Sequence, residues 1–177
     1  LLPLIDPIQA DAIKKAETIL SKFDKTFRKN WDSLSLKKIG ISNPKKDDKK
    51  LVEELLDIMA TTNADFTQTF LQLNSLTIKS YCSKKMPIIL DEWKKKWQTR
   101  IESEIRPHQT MLQTNPIFIP RNHLVEKAIE TALMNDYSLF HRLLSVSETP
   151  FQYQENHSDL YQVPKNEDLV KQTFCGT

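Results

Sequence analysis

The side chains with chemistry to offer are few and scattered. Four histidines stand at His108, His123, His141 and His157. Metal ligation needs donors spaced to converge on one ion, such as two histidines one helical turn apart or a CxxC loop. Neither spacing occurs, and each histidine reads as a polar surface or structural side chain. The acidic pairs Asp47-Asp48, Glu53-Glu54 and Glu167-Asp168 could divide acid and base roles only if an apolar pocket split their pKa values. No such pocket is legible around them, and they read as solvent-facing. Cys175 differs by position. A thiol followed only by Gly176 and Thr177 is open to exchange, and access is half of cysteine reactivity; the bland reading is an incidental cysteine in a tail. Cys82 follows Tyr81 and reads as a semi-buried small apolar residue.

Other patterns fail a physical test. His141-Arg142-Leu143 has the outline of a protein-kinase catalytic loop, but the residue that must take the substrate's proton is Asp there and Leu143 here. The triplet also falls inside a helical pattern. Trp93 and Trp97 lie at i, i+4 with Lys94, Lys95 and Lys96 between them. A nucleic-acid platform uses such residues, yet tryptophans at core spacing are ordinarily packing. Asp65, Thr67 and Thr69, beside Phe66 and Phe70, either bond a neighbour or cap and bend their own helix. Only two glycines occur, Gly40 and Gly176, so a glycine-rich phosphate loop has no material to be built from. No catalytic, cofactor-binding or metal residue emerges.

The elements that must position these groups are helices. Asp6-Pro7 is a start signal, an N-cap followed by proline at the first helical position. Ile8, Ala12, Ala16, Ile19, Leu20, Phe23, Phe27, Trp31 and Leu34 then recur at helical spacing, giving one long helix or two in series ending at Gly40. Asn43-Pro44 opens an exposed loop. Further amphipathic runs carry Leu51 to Met59 and Phe66 to Leu76, and residues 77–87 form a mixed connector. Asp91 caps a helix striped by Trp93, Trp97, Ile101 and Ile105, which Pro107 ends. Residues 115–120 are held extended by two prolines. Helices follow from Asn122 and, capped by Asp136, through Leu144. From Thr149 the chain is polar and aperiodic, a tail over the surface. The expectation is an all-α fold of six to seven amphipathic helices in an irregular bundle, with a helical domain at 1–148 and an extended tail at 149–177.

Composition narrows the class. Hydrophobic residues at 39% and three tryptophans allow a packed core. Twenty-five basic against 23 acidic residues leave a net charge of +2, too balanced for a nucleic-acid partner. Two cysteines are too few for a disulfide framework, which points to a reducing compartment. No apolar run reaches the roughly 18 residues of a membrane span. Leu1-Leu2-Pro3-Leu4-Ile5 has no basic region before it and is not a signal peptide; it reads as an edge that packed against something.

The block Asn115-Pro-Ile-Phe-Ile-Pro-Arg121-Asn122-His123-Leu124, followed by Ala128-Ile129, Asn135-Asp136-Tyr137 and Arg142-Leu143-Leu144, resembles the NP-x-x-x-x-RN-x-L-x-x-x-AI block of the SelO (YdiU) family. Leu55 to Ala60 and Ala64-Asp65-Phe66-Thr67-Gln68-Thr69-Phe70 are similar to its (L/I)LxLMA…ADYTxTF block. Asp91-Glu92-Trp93, Thr149-Pro150-Phe151 and the ending Cys175-Gly176-Thr177, against Cys-Ser-Ser in the family, complete the order. The resemblance implies a parent two to three times longer. Its pseudokinase-fold lobe takes ATP and magnesium or manganese and moves AMP onto Ser, Thr or Tyr hydroxyls of protein substrates. The nucleotide and catalytic residues of that lobe have no counterpart here. What the resemblance carries over is Cys175, which in the family forms a regulatory disulfide with the kinase-like lobe. It implies a cytoplasmic protein, or a mitochondrial one if eukaryotic. The fragment itself is then inactive, a brace for the missing N-terminal lobe. The rival expectation is a stand-alone all-α protein-interaction module.

Overall fold

The computed structural model describes residues 2–74 and 89–169. Among them run eight α-helices and no strand: α1 Leu2–Ile5, α2 Gln9–Lys38, α3 Asp48–Thr62, α4 Phe66–Leu73, α5 Leu90–Ile101, α6 Pro107–Thr114, α7 Asn122–Leu133 and α8 Ser138–Glu148. Two 3-10 segments, Glu155–Tyr161 and Asn166–Asp168, follow. The fold is all-α, as expected, with α1 and α6 added to the expected six or seven helices. Residues 77–87, Cys82 and Cys175 lie outside the described residues.

The long apolar pattern forms one continuous helix, α2, of 30 residues, about 45 Å at 1.5 Å per residue. It starts at Gln9 and not at Pro7, because Asp6 stands two residues upstream of the cap position and accepts the Ile8 N–H at 2.9 Å. Its end follows the glycine rule. Gly40 sits at φ +84°, Gly40 N–H donates to Lys37 O at 3.0 Å and Ile41 N–H to Leu36 O at 2.9 Å, the paired bonds of a Schellman motif. A Cβ at Gly40 would meet Pro107 O at 3.0 Å, so the residue is fixed by both backbone and space.

Two apolar cores divide the packing. The first joins the C-terminal end of α2 with α3, α4, α5 and α6 through Leu36, Ile39, Leu55, Phe70, Trp93 and Trp97, among others. The tryptophans stack at 5.8 Å and spend their polar atoms well. Trp93 Nε1–H donates to Leu51 O and Trp97 Nε1–H to Ile39 O, each at 2.8 Å, so burial strands no donor. Helix α5 begins one residue before Asp91, which lies in its first turn without capping it. It stops at Ile101; Ile105 is exposed. Pro107, expected to end this helix, instead opens α6 at its first position, where the missing N–H costs nothing.

The second core joins Leu71 of α4 to Phe118, Ala128, Leu143, Val146, Leu160 and Tyr161. Residues 115–120 are extended, and the Ile117 and Phe118 N–H groups both donate to Pro150 O, at 2.8 and 3.1 Å. Tyr161 meets Phe118 edge-on with ring centres 5.9 Å apart. The segment beyond Thr149, read as a surface tail, therefore lends two buried side chains to the interior. Helix α4 serves both cores, turning Phe70 and Leu73 to one and Leu71 to the other.

Candidate functional site

The structure brings the two motif-bearing stretches together at the start of α4. Asp65 caps that helix, accepting Gln68 N–H at 2.9 Å, and holds Arg121 in a two-pronged pair of 2.8 and 3.1 Å. The Thr69 hydroxyl bonds back to Asp65 O at 2.8 Å, so Thr69 does cap-type work. Asn115 joins the same neighbourhood from the other block. Its Nδ2 donates to Lys38 O at 2.8 Å while its Oδ1 accepts from Lys38 Nζ at 3.1 Å. The Lys38 ammonium also lies 4.9 Å from the centre of the Phe70 ring and 5.4 Å from that of Phe66. Burial lowers its pKa. Its charge at a helix C-terminus satisfies the dipole there. These residues tie α2, α4 and the 115–121 segment into one unit.

A second polar cluster corrects an expectation. Asp48 is not solvent-facing but 4% exposed, because Arg100, 52 residues away, reaches it with Nε at 2.6 Å and Nη2 at 2.8 Å. Arg100 also pairs with Glu104 at 2.9 Å and donates to Asn43 O at 2.8 Å. Glu104 Oε2 accepts the Ser42 and Asn43 N–H groups at 3.0 and 3.1 Å. Burial pushes both carboxyls up, but these donors outweigh it and leave the Asp48 and Glu104 pKa values lowered. Asp48's hydrogen bonds in turn raise that of Arg100. This is a charged staple of loop 41–47 onto α5. Asp47, Glu53, Glu54, Glu167 and Asp168 are exposed, as expected.

The histidines stay apart. His108 Nδ1 lies 3.1 Å from Asn74 Oδ1, His157 accepts from Arg142 Nε at 3.4 Å, and His141 is exposed in mid-α8. His123 is held low chiefly by burial, with the charge of Arg121 adding to it. Among the described residues no three His, Cys, Asp or Glu side chains converge as a metal site, and no helix is long and apolar enough to cross a membrane. Leu143, the residue that spoils the kinase-like triplet, is buried in the second core.

What the surface does carry is apolar area. Ile19, Leu20, Phe23, Phe27, Trp31 and Leu34 are all exposed along α2, Phe23 by 63% and Trp31 by 49%. Their rings stack in a ladder, Phe23 on Phe27 at 5.9 Å and Phe27 on Trp31 at 6.2 Å. A second apolar surface, a groove of about 500 Å³, runs between α7 and α8 past Val125, Ile129, Ala132, Tyr137, Phe140 and Leu144. Exposed apolar patches of this extent mark sites of interaction. The α2 stripe was legible in the sequence as a face to be buried; the groove was not read, since its lining also fits helix–helix packing.

Known proteins place these features. The family profile for "Protein adenylyltransferase SelO" matches residues 2–148. The "Protein nucleotidyltransferase YdiU" of Clostridium botulinum strain Loch Maree is 38% identical over 183 residues, spanning all of this chain and 37% of that protein. The protein of the same name from Ruegeria pomeroyi is 37% identical over 165 residues, covering 93% of this chain and 34% of its own length. That from Bradyrhizobium diazoefficiens is 36% identical over 187 residues, covering 38% of its length. The chain thus spans little more than a third of the curated relatives it matches. With its two motif blocks converging on Asp65 and Arg121, the chain belongs to the SelO family of protein adenylyltransferases.

Proposed function

We propose that the chain is the C-terminal helical region of a longer SelO-type nucleotidyltransferase. The parent moves AMP from ATP, with magnesium or manganese, onto Ser, Thr or Tyr hydroxyls of protein substrates. In this reading the nucleotide and catalytic residues belong to the kinase-like lobe that precedes the chain. The part described here braces that lobe, and Cys175, outside the described residues, is its redox-regulatory thiol. One observation carries the brace. A stripe of six large apolar side chains on α2 lies open in a chain about a third as long as its relatives, and such a face calls for a covering surface.

The test is AMP incorporation from labelled ATP into acceptor protein. The full-length parent is expected to transfer it with magnesium or manganese, and the isolated chain to transfer none. An inactive parent would remove the enzymatic reading. For Cys175, mass spectrometry of the oxidised parent is expected to find it in a disulfide; a free thiol under oxidant would remove the redox role.

A further inference from the structure

We propose that the open stripe of α2 is the seat of the polypeptide immediately preceding Leu1 in the longer protein, laid antiparallel to α2 as an amphipathic helix. This rests on the reading above that a longer protein contains the chain. It deepens that reading by naming which part of the parent covers α2 and in which register.

The direction comes from α1. Passing backward from Ile8, the chain turns over and runs along α2. Asp6 ion-pairs with Lys15, and Ile5 lines one open recess with Asp11, Lys14, Lys15, Thr18 and Ile19. Each step backward in sequence therefore moves toward the C-terminal end of α2, and a chain continuing upstream of Leu1 is delivered onto the stripe.

The side chains of α2 change size at the matching place. Where α1 lies, α2 offers small residues: Ala12 is fully buried and Ala16 half-buried. Past Ala16 the stripe turns large, from Ile19 to Leu34. Small residues let a neighbour approach closely, whereas large ones hold it at the ordinary 8–10 Å between helix axes. The stripe also has a definite period. Ala12, Phe23 and Leu34 are spaced by 11 residues, as are Ala16 and Phe27, and Leu20 and Trp31. An 11-residue spacing drifts by only about 20° per repeat around a straight helix, and a neighbour follows the seam with a slight right-handed twist. Ile19 to Leu34 spans about 22 Å, which a helix of about 15 residues covers.

The occupant is this segment and not a second copy. A segment joined through α1 acts at the roughly millimolar effective concentration of a short connection, an advantage a second copy does not have.

The Asp6–Lys15 pair sets the register. In an antiparallel pair the numbers of facing residues sum to a constant, here that of Asp6 and Lys15, and the recess around Ile5, lined from Asp11 to Ile19, is centred on the same turn of α2. Phe27, twelve positions beyond Lys15, then faces about the seventh residue before Leu1, and Trp31 about the eleventh. The experiment uses the full-length protein with Phe27→Cys and a second cysteine moved singly through the residues preceding Leu1. Disulfide formation is expected to peak within about one helical turn of the seventh residue before Leu1 and to recur about four residues farther upstream when Trp31→Cys replaces Phe27→Cys. A bridge between two molecules would overturn the proposal in favour of self-association. Alkylation of Phe27→Cys blocked without any upstream bridge would overturn it in favour of another element. Should the cysteine variants not fold, acrylamide quenching of Trp31 in the unaltered protein decides: Trp31 as accessible there as in the 177-residue chain overturns the proposal. AMP transfer by the unaltered protein is scored separately, so loss of the enzymatic reading and loss of this register are distinguishable.

Discussion

Helices α2 and α5 carry the same device and meet opposite fates. Each sets aromatic rings one turn apart, Phe23, Phe27 and Trp31 on α2 and Trp93 and Trp97 on α5, stacked at about 6 Å in both cases. On α5 the rings are 2–3% exposed, and their indole N–H groups are bonded to Leu51 O and Ile39 O. On α2 they stand 49–63% exposed. Spacing alone marks a face for burial in both helices; what differs is whether a covering surface stands among the described residues. The α5 rings lie against α3 and the end of α2. The α2 ladder lies beyond the reach of either core.

The sharpest way to break the contrast is at Trp97. Trp97→Ala removes one of the two indole rings of the first core and leaves Ile39 O without its indole donor. It is expected to cost about 3–5 kcal/mol, measured by chemical denaturation of the 177-residue chain. A loss below about 1 kcal/mol would mean that the α5 face is no better supported than the α2 face.

The next effect concerns the staple beneath those rings. Arg100→Met leaves Asp48 and Glu104 buried without their shared cation, and the expected loss is about 3 kcal/mol at neutral pH. The pH dependence follows in sign. Both carboxyls have lowered values in the folded state, so the unfolded chain takes up protons first as the pH falls. The stability they contribute is full above their ordinary values of 4.5 and 3.8 and is lost as the pH drops through the lowered folded values. Denaturation midpoints of the unaltered 177-residue chain should fall over that acidic window, while those of Arg100→Met fall less. Equal slopes would show that the staple is not what titrates.

How much of this was legible depends on how far apart the partners lie. Gly40, the Asp65 cap, the extended 115–120 segment and the α5 stripe are local signals, each read within a few residues. Asp48 looked solvated because its partner lies 52 residues downstream, and a charge beside lysines carries no mark of burial. Helix α6 escaped because Met111 is its only buried residue, too little for a period. Leu160 and Tyr161 escaped because a 3-10 segment has no 3.6-residue stripe. The missed features are tertiary pairings, whereas the helices themselves were written in their spacing; of the caps read at Asp6, Asp91 and Asp136, none stands at the cap position. The α2 stripe belongs to both kinds: its face was readable, and nothing among the described residues covers it.

That split leads to the smallest effect, and the one that depends most on which molecule is used. In the 177-residue chain, Trp31→Ala deletes a ring that already faces water, and the expected change is within about 0.5 kcal/mol. In the full-length protein the same substitution opens a cavity under whatever covers α2, and the cost should rise toward the 3–5 kcal/mol of a buried aromatic. The same denaturation experiment on both molecules separates the possibilities. A small effect in both would make the ladder a free surface and remove the brace. A large effect in the short chain alone would mean that copies of it cover each other, which a concentration dependence of the midpoint would reveal. A small effect in the short chain and a large one in the long protein is the outcome in which the two aromatic faces become alike, each buried, with only the source of the covering surface telling them apart.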